Sequence, residues 1–360
     1  MIDSLEVGGG TERVCVNLAN AISKDSDFRV VIFVLNGNGA FYEINNGVEV
    51  IFIENQLTIS SEWVKILSVM KSVRQRKIES LICVSMGALS FKSSILYSIF
   101  HRRHFKFLAS EHVAFHSFST MKRAIKRIGY KLSSMVVVLT ESDLKSLNTL
   151  GHTNIHCIPN FVPSSFSRTT DIERSSASDG ETLYLAVGRL TYQKNFDSLI
   201  ELWHRAGELN HEFKKGSKLV IVGEGEDKNK LLAMINDLKL TTVNIVPPTL
   251  DISSWYQRAD CFVMTSRYEG LPMVLIESQA HGVPAIAFDC PTGPSDIIKD
   301  GLNGYLIAPK DDDMFVSRLI ETYDDVRTRD ELSETSRLLS QRFAEENVVN
   351  YWKKIIRSIT

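Results

Sequence analysis

The chain has no apolar run near the roughly 20 residues that a membrane-spanning helix needs, and no secretory signal pattern opens it. Crossing a bilayer as a helix is excluded; attachment to a membrane surface is not. Cysteine is scarce: Cys15, Cys83, Cys157, Cys261 and Cys290 are scattered and odd in number. No pair has metal-ligand spacing, and a reduced, cytosolic compartment fits best. Charge of one sign is not in excess either. Lys and Arg total 41 against 43 Asp and Glu, a net charge of -2, which argues against general nucleic-acid binding but not against a local basic patch. No short-period repeat is visible. What remains is a globular composition, 44% hydrophobic and 23% charged, in a chain of 360 residues, long enough for two domains.

β-branched runs alternate with helical patterns along the whole length. Strands are expected at residues 29–35, 48–53, 81–84, 106–110, 135–140 and 154–159, with helices at 14–23 and 63–76 among those between them. Residues 164–180 are polar, serine-rich and without period, the best linker in the chain. The alternation then restarts, with strands at 183–187, 218–222, 243–246, 261–264, 285–288 and 303–307. Helices are expected at 195–205, 228–238, 252–258, 273–281, 312–326 and 330–343, and a terminal one at 348–359. The domains read as 1–163, 181–342 and a C-terminal helical segment, 343–360, packing back on the first. Both halves are doubly wound α/β. Open parallel sheets bind ligands outside the carboxyl ends of their strands, so two such domains facing each other leave a cleft. Gly8-Gly-Gly10 forms a tight loop before the first helix, whose backbone can approach an anion closely. Such a loop normally follows a buried strand. Only residues 1–5 stand where that strand belongs, so the first strand is expected to be truncated.

The stretch around Glu269 and Glu277 carries the most chemistry. Glu269 precedes Gly270 on a loop, Pro272 suits the first helical position, and the helix runs to about His281 before Gly282 and Pro284. The mouth of that helix offers backbone N–H groups around Gly270, Leu271, Met273 and Val274, a site suited to phosphate. Glu277 lies in the second turn between Val274-Leu-Ile276 and Ala280, where a carboxylate needs a partner: ribose hydroxyls or an unseen arginine. A carboxylate on each side of a phosphate cradle fits a nucleotide sugar. Arg189 and Lys194 follow the strand at 183–187. Arg can chelate phosphate oxygens with its fork, and Lys adds a point charge. The plainer alternative for this pair is a solvated basic turn.

These pieces together resemble a retaining glycosyltransferase of family 4, with the GT-B architecture of two Rossmann-like domains. The resemblance rests on Gly8-Gly-Gly-Thr-Glu-Arg13, Ser110-Glu-His112, Ile158-Pro-Asn160, Val187-Gly-Arg-Leu190 with Gln193-Lys194, Ile221-Val-Gly-Glu-Gly225, and Arg267 to Glu277 with Gly282-Val-Pro284. Thr292-Gly-Pro-Ser-Asp-Ile-Ile298 and Gly301-Leu-Asn-Gly304 add to it. It implies that Glu269 contacts the donor hexose, that Glu277 holds the ribose, and that Arg189, Lys194 and the backbone at 270–274 bind the diphosphate. It further implies that Gly9 and Gly10 close on the phosphates, and that His112 lies near sugar and acceptor; the alternative for His112 is a structural histidine. Transfer would proceed with retention by a front-side route, making Glu269 a donor-orienting residue.

No metal cofactor is expected. Asp311-Asp-Asp313 matches an Asp-x-Asp pair but directly precedes a helix pattern, where N-capping is the better reading. A membrane-facing patch is read at 118–131, where Phe118, Met121, Ile125 and Ile128 recur at helical spacing among Lys122, Arg123, Lys126 and Arg127. Its alternative is an ordinary surface helix packed on its own domain. The expected partners are a nucleotide-sugar donor, with UDP favoured by Asp289-Cys-Pro-Thr-Gly-Pro294, and a glycan or lipid-linked acceptor, in bacterial surface-polysaccharide assembly. The rival readings are a GT-B nucleotide-sugar epimerase and a non-catalytic sugar-nucleotide binding protein.

Overall fold

A computed structural model describes residues 1–6, 8–56, 61–85, 87–164, 166 and 181–359. The chain forms two compact units, Met1–Pro163 with Glu345–Thr360, and Ser164–Ala344. Of the linker expected at 164–180, all but Ser164 and Phe166 lie outside the described residues.

The first unit contains α1 (Gly10–Ile22), β1 (Val30–Val34), β2 (Val48–Phe52), α2 (Glu62–Gln75), β3 (Ser80–Ser85), α3 (Leu89–Phe100), β4 (Lys106–Glu111), α4 (Thr120–Leu132), β5 (Met135–Val138), α5 (Glu141–Thr149) and β6 (Ile155–Cys157). Strands β1 and β2 pair in parallel, and β3-β4-β5-β6 form a parallel sheet. The four residues of β5, Met-Val-Val-Val, are all buried, as a strand covered by helices on both faces requires. Met1 and Ile2 stitch the two sheets together. Met1 N donates to Ile82 O at 2.7 Å and Val84 N to Met1 O at 3.0 Å, while Ile2 N donates to Phe33 O at 3.0 Å and Leu35 N to Ile2 O at 3.1 Å. The expected helix start at residue 14 moves back to Gly10. Gly9 is extended as the N-cap and its carbonyl accepts from Arg13 N at 3.1 Å, so the third glycine is the first helical residue.

The second unit continues with β7 (Thr182–Val187), α6 (Phe196–Leu209), α7 (His211–Gly216), β8 (Ser217–Val222), α8 (Lys228–Asp237), β9 (Val243–Val246), α9 (Ser253–Arg258), β10 (Cys261–Met264), α10 (Met273–Ala280), β11 (Ala285–Phe288), α11 (Pro294–Ile297), β12 (Gly304–Ile307), α12 (Asp312–Asp324) and α13 (Val326–Ser340). Its core is rich in large rings, among them Tyr184, Trp203, Phe213, Phe288 and Phe315. One parallel sheet runs in the order β12-β11-β10-β7-β8-β9. The chain lays strands outward from β7 to β9, then returns to the other side of β7 with β10. Strand order therefore reverses between β7 and β10, and the crevice outside their carboxyl ends is the topological switch point. The helix expected at 312–326 ends earlier, because the Asp325 carboxylate accepts from Thr328 N at 3.0 Å and starts α13 afresh.

The final helix, α14 (Glu345–Ile359), belongs to the first unit. Val348, Val349, Trp352 and Ile355 form one apolar stripe that packs with Leu18, Ala21 and Ile22 of α1. Lys24–Glu345 and Lys353–Asp25 ion pairs flank the contact.

Candidate active site

The loop after β10 is held in shape by the loop after β7. Asn195 takes a left-handed backbone (φ 57°), and its amide donates to Thr265 O at 3.0 Å while Thr265 Oγ1 donates to Asn195 O at 3.0 Å. Arg267 N donates to Gln193 O at 2.8 Å, and Gln193 Nε2 to Tyr268 O at 3.0 Å. The Arg267 guanidinium lies 4.0 Å from the Tyr192 ring centre. This lacing brings Lys194 Nζ to 2.6 Å from Glu269 Oε1, with the two side chains only 15% and 8% exposed. A cation and a carboxylate far apart in sequence thus meet at the switch point. Gly223, at the end of β8, lets the neighbouring turn close: a Cβ there would stand 2.0 Å from Gly188 O. Arg189, beside that turn, is exposed and has no ion pair among the described residues.

Helix α10 starts at Met273, and Pro272 is its N-cap rather than its first residue; Pro272 O accepts from Leu275 N at 3.1 Å. Leu271 is buried, while Gly270, Met273 and Val274 are half-buried at the mouth. Glu277, in the second turn, is 1% exposed. Among the described residues Tyr256 OH donates to Glu277 Oε2 at 3.0 Å, a partner not foreseen in the sequence. Tyr256 also stacks on His281, whose ring bonds Ser253 Oγ at 2.8 Å. On the other flank, Thr292 Oγ1 donates to Glu269 O at 2.7 Å. Asp311 caps α12, accepting from Met314 N at 3.1 Å, and Asp312 and Asp313 pair with Arg205.

In the first unit, Gly9 and Gly10 open α1, and His112 follows β4. His112 N donates to Ser85 O at 3.0 Å, and its Nε2 lies 3.1 Å from Ser110 Oγ. With Val14, Leu18, Asn160 and Trp352 it lines a small cavity against α1. Burial pushes the imidazole pKa down to about 4, so it is neutral across the ordinary pH range. The adjacent Glu111 is buried and accepts from Ser90 Oγ and Lys126 Nζ, each at 2.6 Å. This changes the reading of α4. Lys126 points inward, whereas Met121, Ile125 and Ile128 are 72%, 37% and 58% exposed. Phe118 precedes the helix and lies 4.6 Å from Lys126 Nζ. A larger cavity of about 430 Å³ opens between β1 and β3, lined by Val30, Ile32, Leu81 and Ile82, and none of the candidate residues borders it.

Sequence reasoning missed Tyr256, Asn195 and Thr292 as site residues. Thr292 stands in a quoted motif without a role. Tyr256 comes from a different helix than Glu277 and carries no spacing signal. The arrangement can hold an anionic group against Lys194 and the α10 mouth, with carboxylates available to hydroxyls.

Residues 8–166 match the family model Glycosyltransferase Family 4, and residues 167–339 match Glycosyl transferases group 1. The chain is 33% identical to the amylovoran biosynthesis glycosyltransferase AmsD of Erwinia amylovora, over 99% of this chain and 98% of that one. It is 25% identical, over 98% and 96%, to an α-1,4-N-acetyl-D-galactosaminyltransferase of Campylobacter jejuni whose name specifies a diNAcBac-PP-undecaprenol-linked GalNAc acceptor. It superposes on Anabaena Alr3699/HepE in complex with UDP with a TM-score of 0.79 at 15% identity, covering 99% and 98% of the two chains.

Proposed function

The chain belongs to glycosyltransferase family 4, and we propose that it transfers a hexose from a UDP-sugar, with retention, to a hydroxyl of a glycan or lipid-linked acceptor. It is a GT-B glycosyltransferase of bacterial polysaccharide or lipopolysaccharide assembly. The observation that carries the finer reading is the Lys194–Glu269 pair beside the α10 N-terminus at the switch point. Lys194, Arg189 and the backbone at Gly270, Leu271, Met273 and Val274 neutralise the diphosphate. Glu269 orients the hexose, and Glu277, set by Tyr256, takes the ribose. The leaving diphosphate accepts the acceptor proton on the same face while an oxocarbenium-like centre forms, so Glu269 is not a covalent nucleophile. Gly9, Gly10 and His112 serve the phosphate and acceptor side. Charge stabilisation of this kind replaces a divalent ion. The UDP complex of a structural neighbour supports the choice of base.

The same reading places the enzyme in the cytoplasm, on the inner membrane face. No helix among the described residues is long and apolar enough to cross a bilayer. Support comes from α4, whose apolar stripe faces outward amid Lys122, Arg127 and Lys131. A helix serving only its own domain would bury that stripe.

A thermal-shift panel of UDP-, GDP- and ADP-sugars tests the donor. Specific stabilisation by UDP-sugars follows mass action; no shift with any of them overturns the reading. Product analysis with and without a polyprenyl-diphosphate-linked acceptor then separates transfer from epimerisation.

A further inference from the structure

We propose that Thr292 is a positioning residue that sets the direction of both Glu269 and the Gly270 N–H. This assignment rests on the donor site described above. Glu269 is gripped from two sides. From the β7 side, Lys194 takes its carboxylate at 2.6 Å; from the β11 side, Thr292 Oγ1 takes its main-chain carbonyl at 2.7 Å. Thr292 is 2% exposed, so the donor end of this hydrogen bond is shielded from competing water, while Glu269 is half-buried.

The peptide group joining Glu269 and Gly270 is planar and trans, as are all the described peptide bonds. Holding its oxygen toward Thr292 therefore aims its N–H the opposite way, away from the β11 loop. That N–H is one of the donors assigned to the diphosphate. One hydroxyl thus fixes an N–H donor and the root of the hexose-orienting side chain together.

Gly293 makes the grip close. Its backbone is left-handed (φ 96°), and a Cβ on it would stand 2.3 Å from Gly270 O and 2.6 Å from Pro272 Cδ. The two loops meet backbone to backbone, which only glycine permits. The hydroxyl at 292 and the missing side chain at 293 act on consecutive carbonyls, those of Glu269 and Gly270.

The test compares Thr292→Val, which keeps shape and removes the donor, with Thr292→Ser, which keeps the donor. UDP affinity is measured by calorimetry. UDP release is followed from UDP-galactose, UDP-N-acetylglucosamine and UDP-N-acetylgalactosamine, with the best of these carried through the series. Thr292→Val is expected to lower kcat roughly 10- to 100-fold, the scale of a misplaced orienting group. UDP affinity should stay within about threefold, since one N–H of several donors is redirected. Thr292→Ser should restore most of the rate. Wild-type kcat in Thr292→Val overturns the assignment while leaving the donor site standing. An equal loss in UDP affinity and melting temperature in both variants also overturns it, by making Thr292 merely structural. If the wild-type enzyme binds no UDP and releases none, the donor reading itself fails and this assignment falls with it.

Discussion

Lys194 Nζ stands 2.6 Å from Glu269 Oε1, and the two residues come from loops on adjacent strands, β7 and β10, where the order of the sheet reverses. Neither partner is freely hydrated, so each depends on the other when no ligand is bound. Lys194→Ala and Glu269→Ala are each expected to cut sugar transfer by about 100-fold or more and to cost about 1–3 kcal/mol of stability. Steady-state kinetics beside circular dichroism checks both. Wild-type turnover in folded variants would remove the pair from the mechanism.

Tyr256→Phe tests the second carboxylate. It deletes the O–H that Glu277 accepts at 3.0 Å inside the protein and leaves the ring stacked on His281. A hydrogen bond to a charged group contributes about 1.5–3 kcal/mol. Denaturant melts should show a loss of that order, and calorimetry a several-fold weaker UDP complex. An unchanged UDP affinity would separate Glu277 from the nucleotide.

His112 gives a prediction with a sign. Burial lowers its pKa in the folded state from the ordinary 6.5 to about 4. Between those values the unfolded chain binds the extra proton, so the contribution to stability is complete above pH 6.5 and is lost as pH falls toward 4. The amount is up to about 3 kcal/mol, reduced by its partial exposure. His112→Gln should therefore lose less stability than the wild type between pH 7 and pH 4.5. The acid limb of kcat/KM should not follow this histidine near pH 6.5, and a limb abolished in His112→Gln would show that it does.

The outward stripe of α4 predicts membrane binding. The chain should co-sediment with vesicles containing phosphatidylglycerol, weaken as salt rises, and ignore purely zwitterionic vesicles. Ile125→Glu with Ile128→Glu should abolish sedimentation without lowering the melting temperature, because both side chains are exposed. Retained binding in that double variant would assign the contact elsewhere.

Glu111 and Lys126 make a buried ion pair whose side chains are 3% and 5% exposed. Removing one partner strands a charge, so Lys126→Met is expected to cost about 3–5 kcal/mol. Replacing both by Leu and Met should be far milder, and a double-mutant cycle in urea measures the difference.

Much of this protein is legible in its sequence. Unbroken β-branched runs such as those of β5 and β8 can only be strands covered on both faces, and their alternation with helical patterns dictates two parallel α/β units. The bounds of α10 follow from Pro272, Gly282 and Pro284, and the motifs around Arg189, Lys194, Glu269 and Glu277 mark the family, because the backbone and charge requirements of the candidate site leave a local signature. Partner choice left no such signature. Periodicity gives α4 an apolar stripe, but the buried Glu111 that Lys126 meets comes from β4, and the helix turns Lys126, Gly129 and Tyr130 inward, leaving the stripe at the surface. Tyr256 reaches Glu277 from α9, and Thr292 reaches Glu269 from the far side of β10. Hydrogen bonds between distant segments obey the packing of strands and helices rather than any spacing along the chain, so tertiary structure alone decided them.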